Sequence, residues 1–478
     1  MKEFRKKIIH AFAWNSISVF LRQGLTLLIH IILARILVPE DYGIIGMISI
    51  FMDLSLRLQG AGLGESLIRK KETTQAEYNF VFYYGLLIGL LCYLTLYYMA
   101  PLIANFYKEP RLVWIIRIMT LNLILIPLRG MNRVQLVKEL RFDKIAKVEI
   151  IASIGSGLIA ILFAYMGFGV WSLVIQNLSM HLFSTTMFLK FNWWLPSLSL
   201  NKNQSKALFS FGSKLMIANF IEVGFKNIYN VIIGKQYSAT MLGFYSQGLK
   251  LQRLPSNAIN SIIKSVSFPV FANIKEDKKK YKEAFKKTMR LLTFLNFPIL
   301  ITLASIADPL IPLLLSPKWI KTIPFFQMLV VIGLLGPIKS LFINILKVEG
   351  NGGKLIQYSI FTKIFYLVGV LITFKLNIYA LIISQIIATI LELSVFSTIG
   401  KTIGYNLTEF IQDILPNLFI ATSVGGILIL CNKFIQLSDF STLLMDIALS
   451  GTLIIILSYL TKNPSFMEIK NEIIRQYQ

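Results

Sequence analysis

The chain has 478 residues, of which 55% are hydrophobic and only 15% are charged, with a formal net charge of +24. Its mean hydropathy of +0.65 excludes an ordinary soluble domain, which needs a charged exterior. Apolar runs near 20 residues long predict an all-α polytopic membrane protein and exclude a membrane β-barrel. The Lys and Arg residues are spread between these runs, so a nucleic-acid-binding domain is not expected.

In chain order, the apolar runs predict about fourteen transmembrane helices. The triplet Ala11–Ala13 resembles a signal-peptide cleavage site, but it precedes the first apolar run, so that run is expected to remain as a span. The predicted spans lie near residues 11–34, 42–64, 79–100, 112–137, 146–166, 169–189, 208–234, 240–268, 288–308, 323–347, 355–374, 378–399, 415–431 and 442–460.

Linker composition and span count predict four parts of the chain. They are an N-terminal six-helix bundle (1–191), a polar linker (192–207), a C-terminal six-helix bundle (208–400), and two extra helices with a tail (401–478). Basic residues concentrate in the loops that share a side with the N-terminus, most densely from Lys275 to Lys287. The positive-inside rule therefore predicts that both termini are cytoplasmic.

Short motifs recur in order at offsets of about 200 to 210 residues, which indicates an internal repeat. Tyr42-Gly43 matches Leu242-Gly243, and Pro127-Leu128-Arg129 matches Pro337-Ile338-Lys339. Because each half has an even number of spans, the two bundles are expected to be related by a pseudo-two-fold axis along the membrane normal. Transporters bind substrate at such an interface.

Polar residues at helical spacing mark two spans in each half. In the second half they are Asn219, Glu222, Lys226 and Asn230 on one helix, and Ser246, Lys250, Arg253, Asn257, Ser261 and Lys264 on the next. In the first half they are Asn15, Ser18, Arg22, Thr26 and His30, then Ser49, Asp53 and Arg57. Seven of these charges, all except Lys264 near the cytoplasmic end, would cost on the order of 20 kcal/mol if they faced lipid. The pattern therefore predicts a water-filled central cavity.

The charges in these stripes are mostly positive, which predicts an anionic substrate, and the planar fork of Arg suits phosphate oxygens. By the repeat offset, Arg22 corresponds to Glu222 and Asp53 to Arg253. We therefore expect the acidic residues Glu222 and Asp53 to form gating charge pairs with these basic residues. The alternative is a structural role, since Asp53 with Arg57 and Glu222 with Lys226 have (i, i+4) spacing.

Other candidate sites are weak. The three His residues are scattered, and Cys92 and Cys431 lie in apolar runs, so no metal site is expected. Gly400-Lys401-Thr402 lacks the first Gly of a phosphate loop. Four acidic residues are isolated in sequence and are expected at span ends or in interhelical hydrogen bonds: Glu149, Asp308, Glu392 and Asp446. No enzyme activity and no cofactor are expected, and the coupling ion, Na+ or H+, is left open.

Residues 31–43 (IILARILVPEDYG) are similar to the first loop of bacterial polysaccharide flippases of the lipopolysaccharide, O-antigen or teichuronic acid type. These proteins belong to the multidrug/oligosaccharidyl-lipid/polysaccharide exporter superfamily. Ala61–Gly64, Ile68–Glu72, Phe211–Lys214 and Leu242–Ser246 continue the resemblance, which covers roughly residues 10–400. It implies a V of two bundles in the bacterial cytoplasmic membrane.

The resemblance also implies a substrate, an undecaprenyl-diphosphate oligosaccharide moved from the cytoplasmic to the outer leaflet by alternating access for O-antigen or capsule synthesis. Membrane lipids and the polysaccharide polymerase machinery would be its partners. The diphosphate would bind Arg22, Arg57, Lys226, Lys250 and Arg253, with Asn15, Ser18, Thr26, Asn219, Asn230 and Asn257 lining the cavity.

Three other functions stay open at this point. A multidrug or cation antiporter of the same superfamily is expected to have acidic cavity residues, and basic residues dominate here. A flippase for the peptidoglycan lipid precursor shares the fourteen spans. A scaffold for glycan assembly would need no charges within its spans.

Overall fold

The computed structural model describes residues 23–70, 72–199, 220–435 and 437–477. Within these ranges the chain forms α-helices and short 3-10 turns, with no β-strand. The predicted all-α fold is therefore confirmed. The chain separates into two compact units, Met1–Gly243 and Phe244–Gln478.

The first unit contains nine helices in its described part and the start of a tenth. They are α1 (Gln23–Ile36), α2 (Pro39–Gly60), α3 (Leu63–Arg69), α4 (Gln75–Tyr107), α5 (Leu112–Met119), α6 (Asn122–Lys138), α7 (Phe142–Tyr165), α8 (Val170–Phe191), α9 (220–236) and α10 (Ala239–Ile274), which continues into the second unit. A capping box begins α4, where Thr74 N donates to Glu77 Oε2 at 3.0 Å.

The segment after α8 is docked onto the first unit. Trp194 lies in a buried cluster with residues of α3, α4 and α6, and its indole nitrogen donates to Gln75 Oε1 at 3.0 Å. Asn79 is fully buried; it accepts from the backbone nitrogen of Ser197 at 3.0 Å and donates to the carbonyl of Ser199 at 2.9 Å. The described part of the predicted linker is thus fixed to α4.

The second unit is built from the rest of α10 and eight further helices. They are α11 (Lys278–Ser305), α12 (Ala307–Leu315), α13 (Thr322–Val348), α14 (Gly352–Thr373), α15 (Ile378–Ser397), α16 (Leu407–Phe434), α17 (Asp439–Leu460) and α18 (Pro464–Tyr477). Asn377 caps α15 by accepting from the backbone nitrogen of Ala380 at 2.8 Å.

The two C-terminal spans pack within the second unit. Helix α16 lies along α11, and α17 packs on α16. Glu409 of α16 pairs with Lys282 at 2.9 Å and with Lys286 at 3.2 Å, so two lysines of the basic run bond to a carboxylate. One turn further, Asp413 pairs with Arg290 at 2.6 Å. These ion pairs hold α16 against α11.

The chain is a multi-pass membrane protein. Among the described residues, ten helices are long and apolar enough to span a bilayer. The other four predicted spans correspond to α1, α8, α9 and α10, so the total of fourteen stays a prediction. Apolar side chains such as Leu162 and Ile372, exposed by 58% and 67%, lie on the outer faces of helices, as lipid contact requires. The orientation of the termini and the bundle boundaries, including the one at 208, also stay predictions.

Candidate functional site

Helix α10 carries the predicted cationic stripe on one face of a continuous helix. Lys250, Asn257 and Ser261 are exposed and Arg253 is half-buried. The neighbouring positions Leu249, Gln252, Ser256 and Ile259 are buried. The accessible face is therefore the charged face and the packed face is apolar or internally hydrogen-bonded, since Gln252 donates to Ser256 at 2.9 Å.

Helices α2 and α9 meet through their polar stripes. The amide nitrogen of Asn227 donates to Asp53 Oδ2 at 3.2 Å, and that of Asn230 donates to Ser49 Oγ at 3.2 Å. Asn227 is only 4% exposed and accepts from Ser49 at 3.4 Å. Asp53 thus bonds to an asparagine of α9. Sequence reasoning missed Asn227, although it lies beside the predicted Lys226.

The charged ends of these two helices are accessible. Arg57 near the end of α2, and Glu222 and Lys226 at the start of the described part of α9, are exposed. In α1, Thr26 is exposed, whereas His30 is 4% exposed and packs edge-on against the ring of Tyr42 at 5.5 Å. His30 therefore belongs to the packed core of the first unit and was wrongly included in the stripe.

Several predicted site residues lie outside the described part of the chain. They are Asn15, Ser18, Arg22 and Asn219, together with the side chain of Lys264. The predicted pairing of Asp53 with Arg253 would join the two units and stays a prediction, as do the binding roles of the stripe residues.

The starts of α2 and α10 cross at two glycines. A Cβ on Gly43 would lie 1.7 Å from the carbonyl oxygen of Ala239, and one on Gly243 would lie 1.8 Å from that of Pro39. The contact is reciprocal: the two glycines are related by the repeat offset, and so are the two residues they touch. Only glycine permits backbones to approach this closely.

A buried charge cluster in the second unit surrounds Glu392. Glu392 of α15 is 2% exposed and accepts from Lys339 at 2.9 Å and from Lys363 at 3.1 Å. The hydroxyls of Thr362 and Tyr366 donate to the same carboxylate at 3.2 and 2.8 Å. Glu392 therefore lies at the centre of a cluster, which confirms that it takes part in interhelical hydrogen bonds. Its lysines lie on other helices, where local spacing cannot reveal them.

The other acidic residues have simpler surroundings. Asp446 of α17 accepts from Asn432 of α16 at 2.8 Å, which confirms its expected interhelical role. Asp308 lies in the first turn of α12. Glu149 of α7 lies 3.8 Å from the guanidinium of Arg133 on α6, so it has an ionic partner. Within the described residues, no group of three or more His, Cys, Asp or Glu side chains is placed to hold a metal ion.

Comparisons with known proteins point in one direction. Residues 32–324 match the model of a family described as polysaccharide biosynthesis protein. The chain is 24% identical to the teichuronic acid biosynthesis protein TuaB of Bacillus subtilis (strain 168), over 76% of each chain. It is also 24% identical to the lipopolysaccharide biosynthesis protein WzxC of Escherichia coli (strain K12), over 89% of each.

Among solved structures, the fold is similar to that of the lipid II flippase MurJ in an inward closed conformation. The TM-score is 0.73 at 15% sequence identity, and the similarity covers 94% of this chain and 98% of that one. At this identity the likeness concerns the fold alone. Because the family model matches more than half of the sequence, the chain belongs to the polysaccharide biosynthesis protein family.

Proposed function

We propose that this protein is a flippase for undecaprenyl-diphosphate-linked oligosaccharide repeat units. It moves them from the cytoplasmic to the outer leaflet of the bacterial cytoplasmic membrane for cell-surface polysaccharide synthesis. Two of its relatives are named for teichuronic acid and lipopolysaccharide biosynthesis. The MurJ structure is named for a lipid II flippase. These names support a lipid-linked sugar as the class of substrate.

The observation that carries the proposal is the accessible cationic face of α10. Lys250 and Arg253 lie on a helix whose other face is packed, so both charges border space outside the protein core. A charge exposed to lipid at mid-membrane depth costs ~2.5–3.5 kcal/mol, so this face is expected to meet water, polar protein groups or a polar ligand rather than lipid. A diphosphate offers the anionic oxygens that ammonium and guanidinium groups bind best.

The crossing of α2 and α10 supplies one gate for alternating access. If both termini are cytoplasmic, the starts of α2 and α10 lie at the outer face of the membrane. The crossing at Gly43 and Gly243 then closes that face. Opening toward the outer leaflet requires this contact to separate, while the Asp53–Asn227 bond between α2 and α9 holds the middle of the pathway.

No cofactor enters this mechanism. The proposed energy source is an ion gradient, the membrane potential or consumption of the product. Vesicles in which either a Na+ or a H+ gradient is dissipated distinguish these sources. A transport rate that falls with only one of the two identifies the coupling ion.

The test is lipid extraction from cells that lack this protein, followed by quantification of lipid-linked sugars in each leaflet. We expect an undecaprenyl-diphosphate oligosaccharide to accumulate on the cytoplasmic side and surface polymer to disappear. Accumulation of the peptidoglycan precursor would assign the protein to that branch. No accumulation, together with new sensitivity to cationic drugs, would show that it is an exporter.

Point variants connect this phenotype to the stripe. Arg253→Ala is expected to abolish polymer export while the protein remains in the membrane. Lys147→Ala is a matched control, because this lysine is exposed on α7 and has no place in the stripe. The cavity assignment fails if export survives simultaneous alanine substitution at Arg22, Arg57, Lys226, Lys250 and Arg253.

A further inference from the structure

A second cationic group lies in the first unit, on helices other than α1, α2 and α9. It consists of Arg129 and Arg133 on α6 and His181 on α8. Arg133, Glu149 and His181 all lie close enough to Arg129 for electrostatic interaction. The group therefore combines two guanidiniums and an imidazole with one carboxylate.

The group lies near the middle of the membrane. Arg129 is about nine residues before the end of α6, or ~14 Å along the helix, and His181 is about ten residues, or ~15 Å, before the end of α8. These two helix ends are adjacent, because Asn192, just after α8, donates to Gln135 of α6 at 2.7 Å. In a hydrocarbon layer ~30 Å thick, Arg129 and His181 are thus at mid-depth, where an ionisable side chain is expected to serve a function.

The positive charge of this group is only loosely balanced. Arg129 is half-buried, and among the described residues no carboxylate lies within ion-pair distance of its guanidinium. The Glu149 carboxylate lies 3.8 Å from Arg133, beyond hydrogen-bond distance. Two arginines at (i, i+4) repel each other unless an anion lies between them. The Nδ1 atom of His181 is buried with no hydrogen-bond partner in the described structure, and such an atom indicates a missing polar partner.

The second unit provides an internal comparison. By the repeat offset Arg129 corresponds to Lys339, which bonds directly to Glu392 at 2.9 Å. That carboxylate also accepts from Lys363 at 3.1 Å and is 2% exposed, so the cluster is closed by the protein itself. In the first unit, no carboxylate of the described residues lies within ion-pair distance of Arg129, and Glu149 lies 3.8 Å from Arg133. The difference indicates that an external anion takes this place.

We propose that Arg129, Arg133 and His181 form an anion-binding site for a phosphate or diphosphate group. The two guanidinium forks bind its oxygens, and the imidazole of His181 lies near Arg129. This inference rests on the proposed function only for the source of the anion. That source is either the diphosphate of the lipid-linked substrate, as the proposed function implies, or a free inorganic anion. It adds to the stripe a second place where the diphosphate is held during translocation.

The test measures binding to the full chain in nanodiscs of neutral lipid. The probes are undecaprenyl diphosphate and inorganic diphosphate. Arg129→Gln and Arg133→Gln are each expected to raise the Kd by about tenfold or more, as for the loss of a charge-assisted hydrogen bond. Lys147→Gln removes the same charge from an exposed position of α7 and is expected to leave the Kd within about twofold. Arg129→Lys, which keeps the charge, provides the comparison if Arg129→Gln does not fold.

The outcomes separate this site from the proposed function. Weaker binding of both probes supports a site for the substrate diphosphate, and weaker binding of inorganic diphosphate alone supports a site for a free anion. Unchanged binding of both probes to folded Arg129→Gln and Arg133→Gln overturns the inference. If Arg253→Gln then weakens binding of undecaprenyl diphosphate, the proposed function stands without this site. If the unaltered protein binds neither probe, both proposals fail.

Discussion

Alanine at either glycine of the α2–α10 crossing should separate the two helices at that end. The new Cβ would lie 1.7 Å from the Ala239 oxygen in Gly43→Ala and 1.8 Å from the Pro39 oxygen in Gly243→Ala. Both obstacles are backbone atoms, which cannot rotate away as a flexible side chain does. The helices must therefore part by ~1.7 Å to restore ordinary van der Waals contact.

The magnitude follows from the cost of overpacking. Inserting a methyl group into a tightly packed contact costs about 1–3 kcal/mol. If that cost applies only to the crossed state, the equilibrium between crossed and separated states shifts by about 5- to 150-fold toward separation. A flippase that must form this contact in every cycle would lose most of its export activity.

Spin labels report the separation directly. Labels at Val38 and Gln236, both exposed beside the crossing, are introduced after Cys92 and Cys431 are replaced by serine. Gly43→Ala is expected to broaden their distance distribution and move it to longer values.

The control is another glycine of α2. Gly60 has open space where its Cβ would be, so Gly60→Ala should change neither the label distances nor export. If Gly43→Ala and Gly243→Ala both retain the distances and export of the unaltered protein, the crossing is not a gate. If Gly60→Ala has the same effect as Gly43→Ala, helix propensity and not contact is responsible.

Three further changes test the polar contacts. Glu392→Gln leaves two ammonium groups without a counter-charge and should destabilise the protein by ~3 kcal/mol; an unchanged Tm would contradict this. A double-mutant cycle of Asn227→Ala and Asp53→Ala should give a coupling energy of about 1.5–3 kcal/mol, and additive effects would refute the bond. Hydrogen bonding to Arg111 lowers the pKa of Glu109, so its stabilising contribution persists above pH 4.5 and is lost as pH falls below that value. NMR titration should show this pKa returning to its usual range in Arg111→Gln.

The parts of the fold that depend on local pattern could be predicted from the sequence. The positions of the helices follow from the apolar runs, although their ends do not, since the predicted span 288–308 is α11 (Lys278–Ser305). The stripe on α10 follows from helical periodicity. Lys250 and Asn257 were predicted to share one face of α10 because their spacing in sequence matches the helical period. The structure has both side chains exposed on one continuous helix.

Contacts between helices could not be predicted in this way. Glu392 was predicted to form interhelical hydrogen bonds, but its partners could not be named because its lysines are 29 and 53 residues away in sequence. Asn227 lies between stripe positions and becomes important only because α2 packs beside it. Local periodicity indicates which face of a helix is polar, but tertiary packing determines which neighbour that face meets.

The contacts of α2 and α9 within the first unit loosen from one end to the other. Near the glycine end, a Cβ on Gly234 of α9 would lie 3.0 Å from the Met47 side chain of α2. In the middle, Asn227 bonds to Asp53. At the far end Arg57 is exposed. Because the proposed topology places this far end on the cytoplasmic side, an anionic headgroup arriving from the cytoplasmic leaflet meets accessible cations before it reaches the bonded middle. In the proposed cycle, loading from the cytoplasm therefore needs no prior separation of the glycine crossing, and only release to the outer leaflet does.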